Sequence, residues 1–362
     1  DLRMSRGLGD VYKRQISWFF MGVENFAVTV FRNLLIRIVT LICIFSFVKS
    51  SADLYIYILI LSVSLLLGNM SLFPSLHRYI NRPNFKGLHI TRHLMPSIIL
   101  FVPQIATQIY LVLNKTMLGS MISVRAAGYF DQSDKIVKMV LAIVTATGTV
   151  MLPHVANAFA NGEHKKIHSY LYKSFSFVTA LSIPMMFGII AVASKFVPLF
   201  FTNRFRSVIP IMMIESVVIL LIAWSNVLGT QYLLPTKQTK AYTTSVILGA
   251  IVNLVINIPL ILLWGAVGTA IATVISELVV TLCQLKVVRE QVQFRKLFQG
   301  TGKYLSAGIM MFVVVTLFNK QLPSSWISLF LEVVIGIVVY GLMLVVFKAK
   351  IIDEAKEFFN DR

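Results

Sequence analysis

The sequence predicts an all-α polytopic membrane protein with about ten transmembrane helices. Hydrophobic residues make up 57% of the 362 residues, charged residues only 13%, and the mean hydropathy is +0.80. A soluble domain is closer to half apolar and about a quarter charged. The apolar residues also fall in runs of roughly 20, the length that a helix needs to cross the hydrocarbon core. Composition and run length therefore both exclude a set of soluble domains.

The apolar runs give the limits of the predicted spans. Only Trp264-Gly265 separates the seventh span from the eighth, which predicts a tight hairpin. Pro103, Pro153, Pro184, Pro210 and Pro259 lie in or near spans and predict kinks, because neighbouring helices can satisfy the freed carbonyls. The predicted spans are 33–49, 53–74, 94–113, 136–157, 175–200, 208–233, 243–263, 266–285, 304–319 and 326–347.

The distribution of basic residues orients the predicted bundle. Alternate loops are rich in Lys and Arg, and the richer side is cytoplasmic by the positive-inside rule. The C-terminus is then predicted to be cytoplasmic in a bacterial plasma membrane, and only the loop at 194–207 departs from the bias. The net charge of +18 lies in short loops between apolar runs. It therefore suits anionic membrane lipids as partners rather than nucleic acid.

The two ends of the chain differ in character from the apolar spans. Residues 1–15 (DLRMSRGLGDVYKRQ) resemble translated sequencing-adapter sequence, and a genuine cytoplasmic tail is the alternative. Residues 348–362 carry Ile351, Ile352, Ala355, Phe358 and Phe359 at helical spacing. This tail is either an amphipathic helix on the membrane surface or a short solvated segment.

Motifs of catalysis and metal binding are absent from the sequence. There is no phosphate-binding glycine loop, no HExxH, no Gly-x-Ser-x-Gly and no CxxC, and Cys43 and Cys283 lie in apolar runs. No loop is long enough to fold as a catalytic domain. We therefore predict a transporter that uses no metal or cofactor, and not an enzyme.

Polar residues inside the predicted spans carry the remaining functional signal, because such residues usually face the bundle interior. Gln104 and Gln108 lie one helical turn apart, as do Asn253 and Asn257. Interhelical hydrogen bonds and contacts with a substrate both explain these pairs. Buried acids are scarce: Glu215, Glu277 and Glu332 are the only ones well inside apolar runs, and Glu277 and Glu332 suit lone protonated carboxyls.

A group of cations follows the third span and opens the fourth. Lys115 either extends to the outer interface or joins Arg125 and Lys135 in supplying positive charge to a cavity for an anionic lipid-linked substrate. The scarcity of buried acids favours the anionic substrate. The predicted substrate-binding residues are Lys115, Arg125, Lys135, Lys138, Asn114, Gln104, Gln108, Asn253 and Asn257.

Several stretches together resemble one known family. They are ISWFFMGVENFAVTVFRNLLIR at 16–37, LNKTMLGSM at 113–121, AAGYFDQSDKIVKMV at 126–140, GTVMLPHVANAFANG at 148–162, NVLGTQYLLPTKQTK at 226–240 and GAIVNLVINIPLILLWGAVGTAIATVISE at 249–277. Their order resembles the polysaccharide flippases of the multidrug/oligosaccharidyl-lipid/polysaccharide exporter superfamily, over nearly all of residues 16–347. One departure is Asn114, where relatives often have an acid before the Lys, which leaves open whether an ion pair forms at this place.

The resemblance implies two pseudo-symmetric lobes that rock about a central cavity. Residues 16–92 would form the last two helices of the N-lobe and a cytoplasmic loop. Residues 93–290 would form a six-helix C-lobe, and 291–347 two additional helices. The first four helices of the N-lobe would then be missing from the 5′ end, and we expect the chain alone neither to pack stably nor to transport.

The resemblance also implies a function. The protein would flip an oligosaccharide linked to polyprenyl diphosphate from the cytoplasmic to the outer face, for cell-surface polysaccharide biosynthesis. Polysaccharide assembly machinery is a further candidate partner. One alternative is a drug or cation antiporter of the same superfamily, whose coupling carboxylates are expected in the N-lobe. Another is a membrane glycan polymerase or ligase, for which a large external loop with catalytic Arg or His residues is expected.

Overall fold

The computed structural model describes residues 26–50, 53–71 and 112–352, and the regular secondary structure in these ranges is helical throughout. The chain divides into two units, Asp1–Arg92 and His93–Arg362. Each is described by itself.

The described part of the first unit is a pair of helices, α1 (Phe26–Phe47) and α2 (Leu54–Met70). The turn between them is closed by Asp53, whose carboxylate accepts the backbone N–H groups of Lys49 at 2.9 Å and Ser50 at 2.8 Å. These backbone donors lower the pKa of Asp53 below its ordinary value. Thr40 Oγ1 and Ser64 Oγ lie 2.5 Å apart and join the two helices. Helices at the first two predicted spans are thereby confirmed.

The second unit holds α3 to α10. Residues 112–121 form the described part of α3. Seven helices of the described chain, α4 to α10, are long and apolar enough to cross a membrane. Their limits are α4 Val124–Ala160, α5 His164–Phe201, α6 Val208–Leu233, α7 Thr239–Trp264, α8 Ala266–Val288, α9 Thr301–Gln321 and α10 Trp326–Val346. A short turn, Phe294–Leu297, precedes α9.

The last seven predicted spans are confirmed as helices, but two of these helices begin more than ten residues earlier than predicted. α4 begins at Val124 instead of residue 136, and α5 at His164 instead of residue 175. The first turns of these two helices are polar, so a run of apolar residues marks only the later, hydrophobic part of each helix. Ser123 starts α4 by accepting the backbone N–H of Ala126 at 3.1 Å. Most of the predicted span 94–113 lies outside the described residues.

The predicted tight hairpin at Trp264-Gly265 is confirmed. α7 ends at Trp264 and α8 begins at Ala266. Gly265 alone connects them with φ +56° and ψ −128°. A side chain would be strained in this conformation, which explains why a glycine stands there. The hairpin holds α7 and α8 together along their lengths.

The main core of the second unit is built by α4, α5, α6 and α8. Phe175 on α5 is fully buried and stacks on Trp224 of α6, with ring centroids 5.4 Å apart. Phe298, which follows α8, packs edge-on against the same two rings at 5.2 and 5.6 Å. This aromatic group fixes the segment after α8 onto α5.

The hairpin of α9 and α10 packs on the outer side of α5. Gly308 on α9 allows the close approach, because a Cβ there would lie 2.5 Å from Ile183 Cγ2. The buried phenol of Tyr340 donates to the Ala180 carbonyl at 2.7 Å. At the start of the C-terminal tail, Ile351 and Ile352 pack against this second apolar core. The remainder of the tail lies outside the described residues.

Candidate functional site

A group of ion pairs joins α3 to the first turns of α4. Lys115 Nζ lies 2.6 Å from Asp131 Oδ1 and 3.3 Å from Asp134 Oδ2. Lys135 Nζ lies 2.6 Å from Asp131 Oδ2, and Lys138 Nζ lies 2.8 Å from Asp134 Oδ1. The α4 residues meet because positions three, four and seven apart share one helix face. We call these five residues the lysine–aspartate cluster.

The cations of this cluster are more exposed than its acids. The side chains of Lys115, Lys135 and Lys138 are 34, 62 and 41% exposed, against 25% for Asp131 and 7% for Asp134. An ammonium group has three donors, and each aspartate occupies only part of them. The lysine ammonium groups of the cluster are therefore exposed, and the less exposed aspartates hold them in position.

A third acid lies beneath the cluster. Glu215 on α6 is 2% exposed, and the buried Ser133 hydroxyl donates to its Oε2 at 2.6 Å. Glu215 also interacts directly with the Asp134 carboxyl. The hydrogen bond between Ser133 and Glu215 thus joins α6 to α4 directly beneath the cluster. Glu215 is one of the three acids expected inside apolar runs, and Asp134, at 5% exposed, is a further buried acid that was not counted among them.

Lys115 and Arg125, two of the predicted cations, differ in their contacts. Asn114 does not prevent an ion pair at Lys115, because the acid comes from α4 instead of the neighbouring position in the chain. Lys115 therefore does not extend alone to an interface. Arg125 is exposed at the start of α4 and forms no ion pair within the described ranges. Gln104 and Gln108 lie outside those ranges.

The predicted asparagines form a separate, buried group. Asn257 on α7 donates to Asn114 Oδ1 on α3 at 2.8 Å, and Asn114 donates to Thr273 Oγ1 on α8 at 3.2 Å. Asn253 donates to Ser276 Oγ on α8 at 3.4 Å. All three asparagines are at most 1% exposed. Their burial favours interhelical hydrogen bonding over direct contact with a substrate.

Lys195 and Glu332 form a buried ion pair that was not predicted from the sequence. Lys195 Nζ lies 2.5 Å from Glu332 Oε1, and Asn319 donates to Glu332 Oε2 at 2.8 Å. The expectation of a lone protonated Glu332 is therefore wrong. Lys195 was counted with the loop charges at 194–207, but it lies inside α5. The sequence contains one indication of this pair. Lys195 lies about six residues before the end of α5, Glu332 lies about six residues after the start of α10, and these two helix ends are on the same side of the bundle.

The last eight residues of α6 are π-helical, from Asn226 to Leu233. Gln231 donates to Asn226 Oδ1 at 3.0 Å and accepts the Ser174 hydroxyl of α5 at 2.5 Å. Segments of π-helix are rare and frequently occur at functional sites. Here the widened turn lets Asn226 and Gln231 meet inside the bundle.

A protein-family comparison identifies the class of protein. The model of a family described as "Polysaccharide biosynthesis protein" matches residues 24–210, just over half of the chain. The chain therefore belongs to this family. The matched region contains the whole lysine–aspartate cluster.

Individual relatives agree with this assignment. The chain is 22% identical over 246 residues to the "Probable low-salt glycan biosynthesis flippase Agl15" of Haloferax volcanii, and 21% over 255 residues to the "Probable flippase AglR" of the same organism. These matches cover 66 and 70% of this chain but 51 and 53% of the relatives. The chain thus spans about half the length of these curated relatives.

A solved structure supports the fold. The chain is similar to a structure titled "Lipid II flippase MurJ, inward closed conformation", with a TM-score of 0.67 and 18% sequence identity. The similarity covers 82% of this chain and 63% of the other. At this identity the likeness shows the fold alone. The chain is an all-α polytopic membrane protein.

Proposed function

We propose that this protein is a transporter that moves an anionic lipid-linked oligosaccharide across the membrane for cell-surface polysaccharide biosynthesis. The observation that carries the proposal is the family match over residues 24–210, which contains the partly exposed lysines of the cluster. The names of the two haloarchaeal relatives, which describe each as a probable flippase, support transport over catalysis.

The lysine–aspartate cluster suits the diphosphate of such a substrate. A diphosphate must exchange its hydration for charge-assisted hydrogen bonds, and lysine ammonium groups provide them. Lys115 and Lys135 come from different helices and share Asp131, so one anion near Asp131 can reach both. In this proposal the aspartates keep the lysines positioned in the empty site, and phosphate oxygens replace part of their contacts when substrate binds.

The surface next to the cluster suits the lipid part of the substrate. Along α4, Met139 and Ile143 follow Lys135 at intervals of one helical turn and are 64 and 57% exposed. A cation followed by an apolar strip on one helix face matches an amphiphile with an anionic head and a hydrocarbon chain. The anionic head and the hydrocarbon chain of the substrate can then contact α4 at the same time.

The remaining features of the proposal come from the sequence and the family resemblance. The substrate is a polyprenyl diphosphate oligosaccharide that enters from the cytoplasm and leaves at the outer face, by rocking of two lobes. The membrane is a bacterial plasma membrane with the C-terminus of the chain on its cytoplasmic side. Polysaccharide assembly machinery is the proposed partner.

Vesicles reconstituted with the full-length protein test the proposal, because the chain alone is not expected to transport. A polyprenyl diphosphate oligosaccharide carrying a fluorescent sugar is placed in one leaflet, and its transfer is followed by a membrane-impermeant quencher. Lys115→Ala/Lys135→Ala is expected to slow transfer at least about tenfold, since charged hydrogen bonds contribute roughly 1.5–3 kcal/mol each. Lys240→Ala/Lys286→Ala removes the same charge from two exposed lysines outside the cluster and is the matched control.

The assay distinguishes a wrong function from a wrong substrate-binding site. No transfer by the unaltered protein above empty vesicles would reject the proposed function. Equal rates in the unaltered protein and in Lys115→Ala/Lys135→Ala would reject the role of the lysines while leaving the function intact.

A second candidate is a drug or cation antiporter, which the acids of the cluster favour. Asp131, Asp134 and Glu215 converge at one place and could bind a cation after the lysines move aside. Asp131→Asn/Asp134→Asn should abolish efflux of a cationic dye if this candidate is right. For the glycan transporter, the same variant should keep much of its transfer activity.

A further inference from the structure

A polar cleft lies away from the lysine–aspartate cluster, between the first turns of α5 and the segment that joins α8 to α9. It has a volume of about 560 Å³. Lys165, His168 and Tyr172 line it from α5, and Gln291 and Lys296 line it from the joining segment. We call it the α5–α8 cleft.

This cleft and the lysine–aspartate cluster lie near opposite ends of α4. Lys135 is close to the start of α4, whereas α5 begins four residues after α4 ends at Ala160. A helix rises about 1.5 Å per residue, so the two places are separated by roughly 35 Å along α4. The proposed substrate site and this cleft are therefore distinct, on opposite sides of the bundle.

Hydrogen bonds hold the wall of the cleft in one shape. The Tyr172 hydroxyl accepts the backbone N–H of Gln293 at 3.0 Å. Gln291 and Gln238 exchange two amide hydrogen bonds of 2.8 Å, and Tyr232 donates to Gln291 Oε1 at 3.0 Å. Because these groups are already ordered, a ligand would bind without the entropic cost of ordering them.

Apolar packing beneath the cleft keeps it open. Ile167 and Leu171 of α5 are buried in the main core together with Val292 and Leu297 of the joining segment. Phe298 is fixed against the aromatic group of α5 and α6. The two walls are therefore anchored at their bases and cannot close over the polar opening without losing these contacts.

The charge of the cleft is suited to an anion. Lys165 and Lys296 are exposed, and neither forms an ion pair with any residue that the structure describes. The neighbouring Lys166 shows the contrast, because its Nζ lies 2.8 Å from Glu163 Oε1. Glu290 is the single acid among the residues that line the cleft. The two lysines thus keep their donors for a ligand.

The position of the cleft indicates where that anion comes from. α5 begins and α8 ends here, and both helices are long and apolar enough to cross a membrane. The cleft therefore opens at the level where lipid phosphates lie. Basic pockets between the ends of membrane helices suit anionic headgroups, and a cleft of this volume is large enough for one.

We infer that the α5–α8 cleft binds the phosphate headgroup of an anionic membrane lipid, with Lys165 and Lys296 as its cations and the His168 ring as a further polar contact. The headgroup connects α5 to the segment between α8 and α9. This site goes beyond the proposed transport function and does not depend on it.

Lipid binding to the full chain tests this inference. The purified protein in neutral detergent is titrated with phosphatidylglycerol or with phosphatidylcholine, and bound lipid is counted by native mass spectrometry. Lys165→Ala/Lys296→Ala is expected to weaken phosphatidylglycerol binding roughly tenfold or more, because each lysine near the membrane surface strengthens binding roughly fivefold. Lys240→Ala/Lys286→Ala is the control with the same change of charge.

A second variant keeps the test decisive if the double variant folds poorly. Glu290→Gln removes the one acid of the lining without creating a void, so phosphatidylglycerol binding should become severalfold tighter. Thermal unfolding of each variant without lipid identifies a folding defect. These readouts measure binding alone, so they are independent of whether the protein transports an oligosaccharide.

Three results would overturn the inference. The first is an equal loss of binding in the control pair, which would mean diffuse attraction by surface charge. The second is equal binding of phosphatidylcholine, which would mean contact with the lipid chains. The third is displacement of the lipid by inorganic pyrophosphate with equal affinity, which would mean a soluble phosphate ligand.

Discussion

Two charge groups in the second unit have nearly the same geometry and very different surroundings. Lys195 and Glu332 lie 2.5 Å apart with side chains that are 7 and 0% exposed. Lys115 and Asp131 lie 2.6 Å apart with side chains that are 34 and 25% exposed. The sealed pair has no access for a ligand, whereas the open group presents its cations at the surface.

This difference in exposure separates a structural role from a binding role. Desolvated ions depend on each other, so the loss of one partner leaves the other charge unpaired in an apolar region. Ions that solvent reaches contribute little to stability and can exchange partners. Burial thus suits Lys195 and Glu332 to the attachment of α9 and α10 onto α5, whereas exposure is what the proposed substrate-binding role of the lysine–aspartate cluster requires.

The largest expected effect follows the removal of one sealed charge. Glu332→Leu leaves Lys195 without its carboxylate and Asn319 without its acceptor. Breaking a buried pair in this way costs roughly 3–5 kcal/mol. Thermal or denaturant unfolding of the protein in detergent measures the loss of stability.

Removal of both sealed charges provides the matched control. In Lys195→Met/Glu332→Leu no unpaired ion remains, and apolar side chains of similar size often replace a buried pair at little cost. This double variant should recover most of the lost stability. If the double variant is as unstable as Glu332→Leu, then loss of the ion pair does not explain the destabilisation that Glu332→Leu causes.

Glu215 should give an intermediate effect, because it is buried beneath the open cluster. Glu215→Leu leaves the Ser133 hydroxyl without its acceptor. An unsatisfied buried polar group costs about 1–3 kcal/mol. The free energy of unfolding in detergent should fall by this amount. Ser133→Ala/Glu215→Leu should restore part of it, and no recovery would count against the Ser133–Glu215 bond as the cause.

The smallest effect is expected for an exposed lysine. Lys138→Met removes an ion pair with Asp134 whose cation is 41% exposed. Such pairs are worth about 0–1 kcal/mol, and salt screens them. Unfolding should therefore change little, and the difference should shrink further at high ionic strength. A loss as large as that of Glu332→Leu would show that the open cluster is structural after all.

The helices of this protein could be predicted from the sequence, but the contacts of their polar residues could not. A membrane requires a minimum apolar length, so hydropathy located α1, α2 and α4 to α10 and the hairpin at Gly265. The partner of a polar residue depends on how the helices pack. Asn257 and Asn114 are 143 positions apart, and their hydrogen bond follows from the packing of α7 against α3.

The cluster illustrates the same limit. Its cations were visible in the sequence as a group that follows the third span and opens the fourth, and the acids Asp131 and Asp134 lie in the same stretch. Whether they face one another depends on the turn between α3 and α4, which brings Lys115 and Asp131 together across 16 positions. Lys195 was counted with the loop at 194–207 although the predicted span 175–200 also contains it, and its partner Glu332 lies on a helix 137 positions further along the sequence.

The most direct test of this account measures transport and stability together in two variants. Lys115→Ala/Lys135→Ala should lose transfer of a polyprenyl diphosphate oligosaccharide in reconstituted vesicles and keep the unfolding midpoint of the unaltered protein. Lys195→Met/Glu332→Leu should keep transfer with a stability close to that of the unaltered protein. The account would be contradicted if the first variant transported normally, or if the second folded normally but failed to transport.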